Sequence, residues 1–86
     1  MPTISVFFGI VIRMYYDDHG SPHFHAYYGD EMAAIDIKTL RVLSGNLSPR
    51  ALTMVTEWAI LHKESLERDW QLAVSREPLL KIEPLE

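Results

Sequence analysis

The spacing of apolar residues changes once along this chain, at Ser48-Pro49, and that change limits the folds open to it. Before this point, apolar and β-branched residues occur in short pieces between Gly-, Asp- and Pro-containing turns, as they do in antiparallel strands. After it, apolar residues recur every three or four positions, which is typical of one face of a helix. We therefore predict an α+β domain: a small antiparallel sheet of about four to five strands, packed by one long C-terminal helix and followed by an extended tail.

The strand half covers residues 1–47 and divides at its turn residues. Turn formers are concentrated at 17–22, so the segment after them should return antiparallel to the segment before them. Gly29-Asp30 predicts a second tight turn. The predicted strands are Ile4–Phe8, Ile10–Tyr16, His23–Tyr28, Glu31–Ile37 and a short fifth segment around Val42–Leu43.

The helical half is predicted over residues 48–75. Pro49 suits the first helical position, because the N–H that it lacks would have no helical partner there. At 1.5 Å per residue, about 26 residues span roughly 39 Å, so the last turns should project beyond a small sheet or bend. Residues 76–86 contain Pro78 and Pro84 and cannot continue the helix. This tail should be extended, either as a strap over the domain's own apolar surface or as a strap offered to another chain.

The composition limits the function classes. With 86 residues, 48% of them apolar, the chain should form a single domain, residues 1–86, around one core. The absence of cysteine excludes disulfides and thiolate metal ligands. A net charge of −4 argues against non-specific duplex binding, although a local patch of Arg and His could engage an RNA strand. The chain has neither a secretory leader pattern nor an apolar run of membrane-spanning length, so we expect a cytoplasmic protein without membrane contact.

The segment 19–27 carries the clearest chemical signal, because three of the four histidines lie in it. On a strand, His23 and His25 point to the same face, and the residue between them points to the opposite, packed face. Such a pair can present two imidazoles to one substrate or one metal. If the alternation continues across the turns, the same polar face also includes Arg13, Tyr15, Tyr27 and Asp36.

A face with these side chains has the groups needed for metal-independent cleavage of a phosphodiester. One imidazole of the His23 and His25 pair could remove a proton from a ribose 2′-hydroxyl, and the other could protonate the leaving oxygen. Arg13 could stabilise the charge on the phosphorane, and Tyr15 could position the substrate. We predict these residues as the catalytic set, with no cofactor required.

Two other interpretations of this face stay open. His23 and His25, together with His19, Asp36 or His62, could hold a divalent metal, although the chain contains no complete metal-ligand motif. Alternatively, the strand histidines could serve only to form hydrogen bonds across the sheet.

Residues of the helix could complete either the site or the core. His62 lies on the apolar stripe between Trp58 and Leu66, where a histidine is usually buried and hydrogen-bonded. If the helix packs beside the face that carries His23 and His25, His62 becomes a third member of the site. Trp58 either fills the core or forms a partner interface. The predicted binding residues are His19, Tyr27, Asp36, Trp58 and His62.

Sequence motifs from both halves of the chain combine into a specific pattern. They are Met1-Pro2-Thr3-Ile4-Ser5, Phe7-Phe8-Gly9-Ile10, Arg13-Met14-Tyr15-Tyr16, Pro22-His23-Phe24-His25-Ala26-Tyr27, Ile35-Asp36-Ile37, Glu57-Trp58, His62, Trp70 and Lys81-Ile82-Glu83-Pro84-Leu85. The combination resembles the small bacterial proteins of domain of unknown function 4160, over essentially the whole chain. In that family, the turn before His23 usually has a proline where Ser21 stands here.

The resemblance implies a place in a two-gene toxin–antitoxin module, often beside a protein of domain of unknown function 2442, and it implies no catalytic residue set. Our first hypothesis is a toxin-like protein that acts on RNA and has a cognate small protein from the neighbouring gene as its partner. The alternative is a non-catalytic, antitoxin-like module that binds such a protein through the projecting helix and residues 78–85. A His-ligated divalent-metal protein is the second alternative. Because a core this small gains stability from a second chain, a homodimer is also expected.

Overall fold

A computed structural model describes residues 2–16 and 20–86 of the protein. It confirms the predicted α+β architecture, since a five-stranded antiparallel sheet is followed by two helices. The strands are β1 (Thr3–Phe7), β2 (Ile10–Arg13), β3 (His23–Tyr28), β4 (Glu31–Asp36) and β5 (Val42–Asn46), and the helices are α1 (Pro49–Leu61) and α2 (Lys63–Val74).

Each strand pairs with its neighbour in sequence, so the sheet has the order β1-β2-β3-β4-β5. Phe8 and Gly9 form the turn between β1 and β2, and their φ angles of 49° and 80° are typical of a type I′ hairpin. Gly45 in β5 has a φ of 78°, and a Cβ atom at this position would clash with the carbonyl oxygen of Met32 in β4. The close approach of β5 to β4 therefore requires glycine.

Alternation along the strands gives the sheet two different faces. The covered face carries fully buried side chains, with Ile10 and Phe24 both at 0% exposure. Trp58 of α1 is also fully buried, and its ring centroid lies 5.4 Å from that of Phe7 and 5.8 Å from that of Phe24. The core therefore lies between this face and the helices. The opposite face, which we call the open face, carries the partly exposed side chains of the same strands.

The single long helix predicted over residues 48–75 is wrong in one respect, because the helix is interrupted at His62. This residue has φ −121° and ψ 28°, outside the helical region, and its N–H donates to the carbonyl oxygens of Trp58 and Ala59. α1 ends before His62 and α2 begins after it. The helix is thus interrupted at a defined residue, and α2 buries Leu66 and Ala73 in the same core as α1.

The tail is irregular from residue 77 onwards and packs along its own domain. Ile82 is 6% exposed, and its N–H donates to the carbonyl oxygen of Ile4 in β1 at 2.8 Å. The indole Nε1 of Trp58 donates to the carbonyl oxygen of Glu83, also at 2.8 Å. Of the two arrangements expected for the tail, the structure therefore has the strap over the domain's own surface.

Candidate functional site

Five side chains meet on the open face, and we call them the open-face cluster: Arg13, Tyr15, His23, His25 and Tyr27. Arg13 ends β2, Tyr15 follows that strand, and the other three belong to β3. The register of β2 with β3 places Arg13 directly opposite His25. Cross-strand partners project from the same face, so the register brings together residues that the sequence alternation assigned to one face.

Arg13 is held over the open face by two contacts. Its guanidinium carbon lies 5.3 Å from the centroid of the Tyr27 ring, a cation–π distance. Its Nε donates to the hydroxyl oxygen of Thr3 in β1 at 3.3 Å. Because a guanidinium is permanently charged, Arg13 gives the cluster a fixed positive charge beside His25.

The two histidines of β3 lie close enough to act on one ligand. The ring centroids of His23 and His25 are 5.3 Å apart, with 64° between the ring planes. Tyr15 contacts His25 edge-to-face, with the centroids 4.8 Å apart, and its hydroxyl is hydrogen-bonded to the Tyr27 hydroxyl. His25 therefore lies within a network of two phenols, a second imidazole and a guanidinium.

His23 lies at the margin of the open face, where α2 reaches the sheet. Its Nδ1 is 2.7 Å from the carbonyl oxygen of Ser21, and a carbonyl oxygen can only accept, so Nδ1 carries a proton. In a neutral imidazole of this tautomer, the basic nitrogen is Nε2. The ring centroid of Trp70 in α2 lies 5.2 Å from that of His23. His23 is thus oriented by the turn before β3 and by α2.

Asp36 is the cross-strand partner of His23, but its carboxylate organises the turn after β4. Oδ1 accepts the backbone N–H of Lys38 at 2.8 Å and that of Thr39 at 2.9 Å. The Thr39 N–H contributes most to holding the pKa of Asp36 below its ordinary value of 3.8; burial opposes this shift, and the Lys38 N–H and ammonium reinforce it. Asp36 therefore fixes the backbone that carries Lys38.

Among the described residues, two further predicted binding residues lie away from the cluster. His62 lies at the junction of the helices, with its ring centroid 5.7 Å from that of Trp58. Trp58 is fully buried between the helices and the covered face. His19 lies outside the residues that the structure describes. The fold therefore does not bring His62 and Trp58 to the open face.

The open-face cluster contains two of the side chains predicted as metal ligands, His23 and His25. Within residues 2–16 and 20–86, no three His, Cys, Asp or Glu side chains are grouped so that they could hold a metal ion. Of the third ligands proposed for His23 and His25, Asp36 and His62 form no such group with them, and His19 is not among these residues. The described part of the cluster therefore offers only two imidazole ligands to a metal. To a phosphate, the same side chains offer two acid–base groups beside a cation.

Two contacts of the cluster were missed by the sequence analysis. Thr3 reaches Arg13 where the register of β1 with β2 is irregular, between Thr3 and Ser5, and regular alternation cannot reveal such an irregularity. Trp70 reaches His23 because α2 returns to the sheet after the break at residue 62. The position of Trp70 on the apolar stripe indicated burial and gave no sign of contact with a strand histidine.

A family model with the description Domain of unknown function (DUF4160) matches residues 9–71. The chain belongs to this family. The DUF4160 match includes every residue of the open-face cluster and confirms the family that the sequence motifs indicated. No curated protein and no solved structure matches the chain. In the part of the DUF4160 protein that the structure describes, no helix has the length and apolar character needed to cross a membrane.

Proposed function

We propose that this DUF4160 protein is the toxin-like component of a bacterial toxin–antitoxin module and that it cleaves RNA as a metal-independent, histidine-based endoribonuclease in the cytoplasm. The observation that carries the proposal is the meeting of His23, His25 and Arg13 on the open face. General acid–base cleavage of a phosphodiester uses two proton-transfer groups and a cation. A partly exposed sheet face also suits single-stranded RNA, whose bases and phosphates can both reach it.

In the proposed reaction, Nε2 of His23 removes the proton of a ribose 2′-hydroxyl, because Nδ1 already donates to Ser21. The 2′-oxygen attacks the adjacent phosphorus, and the bond from that phosphorus to the 5′-oxygen of the next nucleotide breaks. His25, as an imidazolium, gives its proton to this leaving oxygen. The products carry a 2′,3′-cyclic phosphate and a 5′-hydroxyl, so the step consumes neither water nor a cofactor.

The charge of the site supports this assignment of roles. Arg13 lies opposite His25 in the register, where it can stabilise the negative charge of the phosphorane, and Tyr15, whose ring contacts His25 edge-to-face, positions the substrate. The chain as a whole has a net charge of −4, so the attraction for RNA has to be local.

An antitoxin-like module without catalysis is the second candidate. Val6 is 55% exposed and pairs with Val11, so apolar side chains border the cluster on the open face. Such a border favours contact with a protein surface, such as the product of the neighbouring gene or a second copy of this chain. The contact would involve the open face rather than residues 78–85, because Ile82 already packs on its own domain.

The reaction can be tested with purified protein and a single-stranded RNA in the presence of a chelator. We expect fragments with 2′,3′-cyclic phosphate and 5′-hydroxyl ends. A matched RNA with one 2′-deoxyribose at the cleavage position should resist cleavage, because it lacks the attacking oxygen. Cleavage that depends on added Zn²⁺ or Mn²⁺ would instead favour the divalent-metal protein.

Substitution of the histidines assigns the roles. His23→Ala and His25→Ala should each slow cleavage by about 10²- to 10⁴-fold, which is the usual contribution of general acid–base catalysis. His62→Ala is the matched control, because this histidine lies at the helix junction and should leave the rate unchanged. Full activity in folded His23→Ala and His25→Ala proteins would refute the assignment.

The antitoxin-like candidate has a separate test. If RNA is not cleaved and Val6→Asp abolishes co-purification with the neighbouring gene product, the antitoxin-like candidate is favoured.

A further inference from the structure

A groove lies beside the open-face cluster, where the margin of the sheet meets α2. It has a volume of about 290 Å³ and is lined by Pro22, Lys38, Glu67, Trp70 and Gln71. Pro22 precedes β3, Lys38 follows β4, and the other three residues belong to α2. The volume is at the lower end of small-ligand pockets, roughly 300 Å³, and therefore suits one nucleoside rather than a longer segment of RNA.

His23 connects the groove with the cluster. Its ring centroid lies 5.2 Å from that of Trp70 in the groove and 5.3 Å from that of His25 in the cluster. The turn opposite α2 is fixed by backbone contacts, since the Ile37 N–H donates to the carbonyl oxygen of Pro22 at 3.0 Å. A nucleoside in the groove would therefore have its ribose next to the imidazole that we assigned as the base.

The polar side chains of the groove offer both acceptors and donors, and the four bases differ in the pattern of acceptors and donors that they present. Glu67 has two acceptor oxygens and no donor when ionised, whereas Gln71 and Lys38 can donate. Glu67 and Gln71 are four residues apart on α2 and thus neighbours on one side of the helix. Guanine presents two adjacent donors, N1–H and N2–H, beside the acceptor O6. Adenine and cytosine place an acceptor nitrogen next to their amino group, and uracil places its N–H between two acceptors.

The geometry points to a guanine subsite in this groove, where Glu67 accepts from N1–H and N2–H and either Gln71 or Lys38 donates to O6. This inference deepens the proposed endoribonuclease function and rests on it. Because His23 is the base for the 2′-hydroxyl and adjoins the groove, the bound guanosine is the nucleotide whose 2′-oxygen attacks. Cleavage then occurs on the 3′ side of guanosine and leaves a guanosine 2′,3′-cyclic phosphate end.

Binding to the groove can be measured without cleavage. The chain has two tryptophans, so the full-length protein gives two indole N–H signals in an NMR spectrum. Trp70 lines the groove, whereas the Trp58 N–H is bonded to Glu83 inside the fold and serves as an internal reference. Titration with guanosine 3′-monophosphate should shift the Trp70 signal to saturation, with an affinity about tenfold or more above those of adenosine, cytidine and uridine 3′-monophosphates.

A matched pair of variants tests whether the Glu67 carboxylate determines the preference for guanosine. Glu67→Gln should remove the preference for guanosine, because it replaces one of the two acceptor oxygens with a donor. Glu64→Gln makes the same change of charge on the same exposed helix surface outside this groove, and it should retain the preference. Equal affinity for all four nucleotides, no shift of the Trp70 signal, or an equal loss in both variants would overturn the guanine subsite.

Failure of the subsite and failure of the endoribonuclease are distinguishable. RNA that is cleaved equally after all four bases overturns the subsite and leaves the endoribonuclease intact. Guanosine-specific binding that is lost in Glu67→Gln, without cleavage of any RNA, supports the subsite as a nucleotide site and overturns the endoribonuclease.

Discussion

The two faces of β3 differ although they belong to the same six residues. On the covered face, Phe24 and Ala26 are completely buried. On the open face, His23, His25 and Tyr27 are only partly buried and contact polar and aromatic groups. Because the side-chain period of a strand is two residues, stability and chemistry can occupy alternate positions of one short segment. Substitutions at adjacent positions of β3 should therefore affect different properties of the protein.

The largest effect should come from a substitution on the covered face. Phe24→Ala removes a fully buried ring that packs on Trp58, and it should lower the free energy of unfolding by about 3–5 kcal/mol. Urea unfolding followed by tryptophan fluorescence measures this change. His25→Ala, at the next residue, should change the free energy of unfolding by only about 1 kcal/mol. Similar losses of stability in the two variants would mean that the two faces of β3 contribute equally to stability, contrary to the comparison.

An intermediate effect is expected for the cation of the open face. Arg13→Gln removes the charge that we propose stabilises the phosphorane, and it should lower kcat for RNA cleavage about 10²-fold with little change in the urea midpoint. Arg50→Gln, at the exposed start of α1, is the control for the loss of one positive charge. If both variants bind RNA more weakly to the same extent and keep their kcat, Arg13 contributes general attraction rather than transition-state stabilisation.

The smallest effect concerns Asp36, which ends β4 opposite His23. Its pKa is lower in the folded protein than the ordinary 3.8, so the ionised carboxylate stabilises the fold above that pH. This contribution should disappear as the pH falls from about 4 through the folded pKa. The pH dependence of the unfolding free energy should therefore be flatter in Asp36→Asn than in Asp30→Asn, a change in the exposed turn after β3. Identical pH profiles for the two variants would show that the Thr39 and Lys38 hydrogen bonds do not stabilise the charged form.

Regular alternation made most of the sheet predictable. The bounds predicted for β3 are those of the structure, because turn formers flank a segment of continuous alternation on both sides. β5 is longer than the short segment predicted around Val42–Leu43, since it continues to Asn46 through Gly45. Glycine usually weakens a strand, and its use here depends on the close approach to Met32, which only the folded chain reveals.

The break between the helices could not be predicted from spacing. Trp58, His62 and Leu66 follow one another at four-residue steps, so the apolar stripe continues through the interruption. Only the predicted length of a continuous helix, compared with the width of a small sheet, suggested that it would bend.

The candidate site was predictable within the sheet and not beyond it. Period-two alternation assigned Arg13, His23 and His25 to one face, and the strand register agrees. The contact of Trp70 with His23 depends on the path of α2. The hydrogen bonds by which the Asp36 carboxylate fixes the following turn depend on the rotamer of that side chain. Both are consequences of packing, which local sequence patterns do not contain.

The order of the strands also determines how the chain closes on itself during folding. Every strand pairs with its sequence neighbour, so the whole sheet can grow by closing short loops at low entropic cost. The strap is different, because Lys81 donates to the Thr3 carbonyl oxygen across 78 residues. This contact, like that of the Ile82 N–H with the Ile4 carbonyl oxygen, closes a loop of nearly the whole chain and requires β1 to be in place. We therefore expect the strap to form after the sheet and to detach before the sheet unfolds.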